Sequence, residues 1–181
     1  MTNPGTATPP DLAALGRELV EAALLRGDFV LSSGAHSDYY LDKYRFETRP
    51  ALLRGLAAAL APLVPAGTDR LAGTELGAVA LAAALSLETG LPFVIVRKAS
   101  KEYSTANLIE GELVAGEQVL VVEDVITTGA QSIKAADRVA AAGGRVNGIL
   151  AVVDREEGGG ARIAEAGYAY AALFTRSGLG I

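Results

Sequence analysis

Apolar residues recur at helical spacing at Leu12, Leu15, Leu19, Ala22 and Ala23, with Asp11 ahead of them as an N-cap, so a first helix is expected to begin at about position 11. Phe29 to Leu31 and Tyr39 to Tyr44 read as short strands around the turn Ser32-Ser33-Gly34. Pro50 to Val64 has the pattern of a second amphipathic helix. Beyond position 70 the pattern becomes regular. Strand-like segments (Arg70 to Ala72, Pro92 to Arg97, Val119 to Val122, Val146 to Val153) alternate with helical ones (Ala78 to Thr89, Ser132 to Ala142, Gly160 to Ala166). Aliphatic runs without polar alternation belong to strands covered on both faces, so the alternation predicts an α/β fold with a central, mostly parallel sheet flanked by helices and right-handed crossovers. Met1 to Pro10, polar and holding three prolines, reads as a disordered arm, leaving residues 11–181 as a single domain.

Composition narrows the classes. With 181 residues, half of them apolar, the chain can bury one sizeable core but is short for two. The net charge of −5 and the lack of a Lys/Arg-rich block argue against a nucleic-acid or anionic-membrane partner, so an anionic ligand would need local cations. Without cysteine there is no disulfide framework and no thiolate metal site. The apolar stretch Leu76 to Leu85 is far short of the ~20 residues that span a bilayer, and no basic region followed by an apolar core opens the chain. A soluble, cytoplasmic protein is the expectation.

The densest chemistry lies in Val119 to Gln131, Val-Leu-Val-Val-Glu-Asp-Val-Ile-Thr-Thr-Gly-Ala-Gln. A buried strand runs into Glu123 and Asp124, at the end of the sheet where α/β proteins bind ligands. Two adjacent carboxylates there can accept hydrogen bonds from vicinal ribose hydroxyls. Thr127 to Gln131 follow at once, where backbone N–H groups, threonine hydroxyls and a helix start can hold a phosphate, and Gly129 admits close backbone approach. A core strand, a turn and a helix with solvated acids at the join would be the plainer explanation of the same residues.

A second segment, Arg97 to Gly111, loses periodicity for about a dozen residues, a length more often functional than passive. Arg97, Lys98 and Lys101 cluster there in an otherwise acidic chain. Such a loop suits closure over a polyphosphate and stabilisation of departing charge, although a solvated surface loop has the same composition. Arg155 follows the strand ending at Val153; its planar fork suits a carboxylate, and Asp154, Glu156 and Glu157 are alternative ion-pair partners.

The combination of strand, Glu-Asp, Val-Ile, Thr-Thr-Gly and amphipathic helix resembles the phosphoribosyl diphosphate motif of the type I phosphoribosyltransferases. With Leu-Ser-Ser-Gly-x-x-Ser-x-Tyr-Tyr near the start, Arg-Lys-x-x-Lys before the loop and Val-Val-Asp-Arg-Glu-Glu-Gly-Gly near the end, residues from about Ala13 onward are similar to the orotate phosphoribosyltransferases. The resemblance implies the type I fold with a small N-terminal hood. It also implies transfer of ribose 5-phosphate from 5-phosphoribosyl 1-diphosphate to orotate in pyrimidine synthesis, with Mg²⁺, by a homodimer whose loop serves the neighbouring subunit. By position, Glu123 and Asp124 would hold the ribose hydroxyls, and Val125, Ile126, Thr127, Thr128, Gly129, Ala130 and Gln131 the 5′-phosphate. Arg97, Lys98, Lys101 and Tyr103 would face the diphosphate, with backbone N–H groups of Gly73-Thr74-Glu75. Thr127, Arg155, Tyr39 and Tyr40 would recognise orotate, the tyrosines alternatively packing on a half-buried strand. Lys101 and Asp124 would be the catalytic pair, and the metal would arrive on substrate oxygens rather than in a protein cage.

Three positions depart from the family pattern. Tyr103 stands where a loop histidine is common, followed by Ser104 where glycine is usual, and an ordinary tyrosine is a poor proton donor at neutrality, which leaves Lys101 as charge stabiliser. Ser32 replaces a hood lysine found in some members, and His36, the single histidine, reads as a surface turn residue. Another phosphoribosyltransferase, or a regulator sensing phosphoribosyl diphosphate, would share the central motif; Arg155 and the hood favour orotate over the first, and the acidic balance disfavours the second.

Overall fold

A computed structural model of the chain describes residues 10–30, 36–98 and 108–181. The expected turn Ser32-Ser33-Gly34, all of the expected arm except Pro10, and residues 99–107 lie outside them. Helix α1 (Leu12–Ala23) begins as its sequence requires, with Asp11 Oδ1 accepting from the amides of Ala13 and Ala14 at 2.9 and 3.1 Å. Strands β1 (Leu24–Val30) and β2 (His36–Leu41) then pair antiparallel as a separate two-stranded sheet. His36 is thus the first residue of a strand, exposed and 3.0 Å from Asp28, rather than part of a turn.

The second strand stops earlier than expected. After Asp42 the chain forms a short helix, α2 (Lys43–Glu47), which turns Phe46 fully into the core and carries Lys43 and Glu47 one helical turn apart. Helix α3 (Pro50–Leu60) starts with proline at its first turn and gives way to a 3₁₀ turn over Ala61–Leu63, short of Val64, because Pro62 has no N–H to continue the α-helical ladder.

The main sheet holds β3 (Arg70–Thr74), β4 (Phe93–Val96), β5 (Ile109–Glu110), β6 (Gln118–Ile126), β7 (Arg145–Asp154) and β8 (Tyr170–Thr175), in the order β5-β4-β3-β6-β7-β8. Every neighbouring pair is parallel except β4 with β5. Helices α4 (Ala78–Thr89), α5 (Ala130–Ala141), α6 (Gly159–Glu165) and α7 (Arg176–Leu179) complete the fold. β5, β8 and α7 go beyond the sequence pattern. Both faces of the central strands are covered, as their unbroken aliphatic runs require: Leu120, Val122, Leu150 and Val152 pack in one core with Leu19, Leu56 and Leu81, while Val119, Val121 and Ile149 pack in another with Val139 and Ile163.

At the amino ends of the strands, away from the site described below, Arg70 grips Glu117 with both arms of its guanidinium, Nε to Oε2 at 2.6 Å and Nη2 to Oε1 at 2.8 Å. The pair ties β3 to the start of β6. Glu117→Ala removes both charge-assisted bonds and leaves a largely buried arginine unpaired, so its unfolding free energy in urea should fall by about 1.5–3 kcal/mol, with ligand binding at the far end of the sheet unchanged.

Candidate active site

Strand β6 outruns one of its neighbours. It pairs with β3 only as far as Gly73↔Val122 but with β7 as far as Ile126↔Asp154. Glu123 and Asp124 therefore lie within a strand that continues through Ile126, past the point where β3 has left it. Adjacent strand residues point to opposite faces, so the two carboxylates diverge instead of standing side by side.

Glu123 accepts from Thr74 Oγ1 at 2.6 Å, and its Oε1 is buried without a hydrogen-bond partner among the described residues. Burial first, then the charge of Asp124, push its carboxyl up to about 7, against the opposing pull of Thr74, Ser132 and Lys43. Asp124, also buried, accepts from the Val125 amide through Oδ1 and pairs with Lys43 Nζ at 2.6 Å through Oδ2. Glu47 is the third buried acid of the cluster. Burial and the charge of Asp124, opposed by Lys43, raise its carboxyl to about 8, so Glu47 holds a proton at neutral pH beside an acid paired with lysine. On Lys43 burial acts to lower the pKa, but Asp124 outweighs it and the net shift is upward. Neither Lys43 nor Glu47 was among the residues expected from sequence; their only signal was the one-turn spacing of Asp-Lys-Tyr-Arg-Phe-Glu, masked by the apolar rings between them.

Beyond Ile126 the turn Thr127-Thr128-Gly129 leads straight into α5, whose first turn has no side-chain cap. Gly129 has φ 73°, and a Cβ there would stand 2.8 Å from the Gly159 carbonyl; a Cβ on Gly159 would in turn collide with the Thr127 carbonyl. The turn is thus seated directly on the backbone of α6, which accounts for Gly159; Gly158 takes a left-handed φ of 83° and Gly160 packs under Tyr170. Residues 123–131, with Lys43, Thr74, Glu75, Lys98 and Arg138, line an open cleft at the carboxyl ends of the strands, the place where open α/β sheets bind ligands.

The cations expected to face diphosphate divide. Lys98 lines the cleft, while Arg97 lies beside it, 3.2 Å from Glu110 and 4.0 Å from Glu75. Lys101 and Tyr103 lie outside the described residues. Arg138 of α5, missed in the sequence as an ordinary helix cation, donates to the carbonyls of Arg97 and Lys98 at 2.8 and 3.0 Å and so fixes the root of this segment. One correction concerns Glu75. Its amide donates to Val96 O at 2.8 Å and its carboxylate accepts from Lys98 N at 2.8 Å, so that amide is held in the sheet and is not a free donor.

Arg155 sits immediately after β7, its amide donating to Ile126 O at 2.9 Å, which sets it beside the turn. Its guanidinium is buried and stacks over the Tyr39 ring at 5.1 Å, with Nη2 donating to Tyr39 Oη at 3.2 Å. Glu157, one of the alternative partners expected from the sequence, forms an ion pair with Nε at 2.9 Å, although the Nε–H is not aligned for a hydrogen bond and has none among the described residues. Tyr40 points to the other side of β2, half exposed against Phe29, away from Arg155. Glu156, at φ 58°, instead accepts from the amide and hydroxyl of Ser177, pinning the segment to α7.

A cleft with paired acids and an uncapped turn at the carboxyl ends of parallel strands defines a sugar-phosphate-binding α/β protein, and residues 46–166 match the phosphoribosyl transferase domain. The relatives are more particular. The chain is 54% identical over 153 residues to the orotate phosphoribosyltransferase of Halobacterium salinarum, covering 84% of this chain and 87% of that one. Two crystal structures of Mycobacterium tuberculosis H37Rv orotate phosphoribosyltransferase, each 32% identical, cover 95% of this chain and 100% of theirs: one with Fe(III) dicitrate, at a TM-score of 0.85, and one with 5-phospho-alpha-D-ribosyl 1-diphosphate, at 0.81. The chain belongs to the orotate phosphoribosyltransferase family.

The two raised carboxyls have a consequence for stability. Because Glu47 and Glu123 titrate at about 8 and about 7 when folded and near 4.5 when unfolded, the folded protein binds more protons than the unfolded chain in between. Stability should therefore fall as pH rises from 5 to 8. Urea unfolding of the ligand-free protein across that range should show the decline, and Glu47→Gln, a permanent mimic of the protonated form, should make it shallower, leaving the share due to Glu123; a flat wild-type profile would contradict the shifts.

Proposed function

We propose that this chain transfers the 5-phosphoribosyl group of 5-phosphoribosyl 1-diphosphate to orotate, giving orotidine 5′-monophosphate and diphosphate. The observation that carries the choice of base is Arg155: a buried guanidinium beside the turn that follows the acid pair, ion-paired with Glu157 at 2.9 Å but with an Nε–H that makes no hydrogen bond among the described residues. Orotate brings a carboxylate, the group that satisfies such a donor best. Tyr39 holds the fork in orientation, Thr127 lines the adjoining cleft, and Tyr40, packed on Phe29, faces away from Arg155.

The sugar phosphate occupies the cleft. Glu123 Oε1, buried without a partner, accepts from a ribose hydroxyl, and Asp124 adds negative charge near the anomeric carbon, where an oxocarbenium-like state develops. The 5′-phosphate takes the N–H groups and hydroxyls of residues 125–131 at the start of α5. A ring nitrogen of orotate, losing its proton to the departing diphosphate or to water, forms the new bond to the anomeric carbon while the bond to the diphosphate oxygen breaks and its electron pair leaves with diphosphate. Position and charge suffice, without a covalent nucleophile. Arg97, Lys98, Lys101 and Tyr103 meet the leaving group in this reading.

The acids fit Mg²⁺ as a substrate-borne ion. They offer hard oxygens at the cleft, but Asp124 is already engaged by Lys43, and among the described residues no three His, Asp or Glu side chains converge as a cage. Bound Mg²⁺ would neutralise charge on the departing diphosphate. No helix among the described residues is long and apolar enough to cross a membrane; a cytoplasmic homodimer sharing its loop is part of the same proposal.

Orotate should be consumed only with phosphoribosyl diphosphate and Mg²⁺ present, with uracil, adenine and hypoxanthine poor substitutes; comparable turnover of uracil would remove the case for carboxylate recognition. Arg155→Ala should lower kcat/KM for orotate by about 2–5 kcal/mol, roughly 30- to 5,000-fold, and Arg155→Lys should not restore it. For the shared loop, Lys101→Ala and Arg155→Ala homodimers should each be nearly inactive, while mixed and re-equilibrated they should regain about a quarter of wild-type activity, since half the dimers then carry one intact site. No recovery after verified subunit exchange would confine the loop to its own subunit.

A further inference from the structure

Lys43 precedes residues 46–166, the stretch that matches the phosphoribosyl transferase domain, yet it lines the sugar-phosphate cleft. Its ammonium stands 2.6 Å from Asp124 Oδ2, with 28% of the lysine side chain exposed against 5% of the aspartate's. On the same short helix, one turn on, Glu47 is buried with an unpartnered Oε1. Gly77 closes the box. A Cβ there would run into Asp124 Oδ2 and stand 2.9 Å from Glu47 Oε1, so only the bare backbone of the turn before α4 leaves room for the two carboxyls. With Oδ1 on the Val125 amide and Oδ2 on Lys43, the Asp124 carboxylate is fixed from both ends.

We propose that Lys43 and Glu47 are positioning residues for this reaction, setting the orientation of the Asp124 carboxylate toward the ribose of phosphoribosyl diphosphate. The inference rests on the reading of Glu123 and Asp124 as the ribose site. A pair serving stability alone would have no need to open onto the cleft, whereas Lys43 meets both the buried acid and the space where the ligand sits. The turn between β2 and α2 thereby supplies a contact that the matched domain lacks by itself.

Steady-state kinetics with both substrates varied, alongside melting temperatures, test the proposal on Lys43→Met, Lys43→Arg, Glu47→Ala, Glu47→Gln, Asp124→Asn and the double variant Lys43→Met/Asp124→Asn. Lys43→Met should raise KM for phosphoribosyl diphosphate about tenfold or more while KM for orotate stays near wild type. Lys43→Arg should recover most of that loss, and Glu47→Gln should recover most of the loss caused by Glu47→Ala. Because Lys43 acts through Asp124, the double variant should be no worse than Asp124→Asn alone. That double variant, which leaves no unpaired buried charge, and Lys43→Arg keep the test decisive if Lys43→Met folds poorly. A Lys43→Met enzyme with a lowered melting temperature but an unchanged KM for phosphoribosyl diphosphate, or losses that multiply in the double variant, would overturn the proposal while leaving a defective Asp124→Asn, and the ribose site, in place. An Asp124→Asn enzyme with normal use of phosphoribosyl diphosphate would remove the ribose site itself, and the proposal with it.

Discussion

Burying two carboxylates at adjacent positions of one strand is the constraint from which the rest of the site follows. Charge in a low-dielectric interior is unfavourable unless it is paired, hydrogen-bonded or neutralised by a proton, and Glu123 and Asp124 meet the cost differently. Asp124 has a lysine and a backbone amide. Glu123 has one threonine hydroxyl, a pKa near neutrality and an oxygen left without a partner. Strand alternation makes this division possible, since each carboxylate leaves a different face and meets different elements. The incomplete satisfaction of Glu123 is the property a binding site needs: in the proposed reaction a ribose hydroxyl would complete what the fold leaves undone.

The two ends of the sheet carry separate duties. At the amino ends, Arg70 and Glu117 form a closed, bidentate pair, and Asp69 accepts from the Gln118 amide, so the strands are stitched with nothing left over. At the carboxyl ends, β6 runs beyond β3, the first turn of α5 has no side-chain cap, and the Arg155 Nε–H, though ion-paired with Glu157, makes no hydrogen bond among the described residues. These unmet groups carry a penalty in the free protein that ligand contacts can relieve, which is how open α/β sheets come to bind at this end.

Much of this was legible in the sequence because it is local. The aliphatic runs gave the central strands, helix α4 fell where its pattern put it, and Glu-Asp-Val-Ile-Thr-Thr-Gly marked the acids and the turn. What was hidden depends on distant partners. Residues Tyr170–Thr175 mix alanine with aromatics and alternate weakly, and their role as an edge strand is fixed by pairing with β7. Lys43 and Glu47 sit in a segment whose aromatic residues suggested a continuing strand; burial of Phe46 decides for a helix, and only the folded chain brings Lys43 against Asp124. Glu75 was misread for the same reason, since the carbonyl that claims its amide belongs to β4.

The short stretch from β2 into α2 joins the two halves of the site. Tyr39 stacks on Arg155, and Lys43, four residues later, pairs with Asp124. Both contacts come from the segment that precedes the matched domain, and both act on side chains borne by strands β6 and β7 or the turn that follows. The peptide between them is short: Leu41 is buried in the main core and Asp42 hydrogen-bonds back to Ala23, so the two contacts are held by one anchored unit rather than by independent loops. A shift of that unit sufficient to release Tyr39 from Arg155 would also pull Lys43 from Asp124, leaving a buried acid without its counter-charge. The Tyr39 and Lys43 contacts are thus mechanically tied, and the small N-terminal sheet is held by the buried Leu41, the Asp42 amide and these two contacts together.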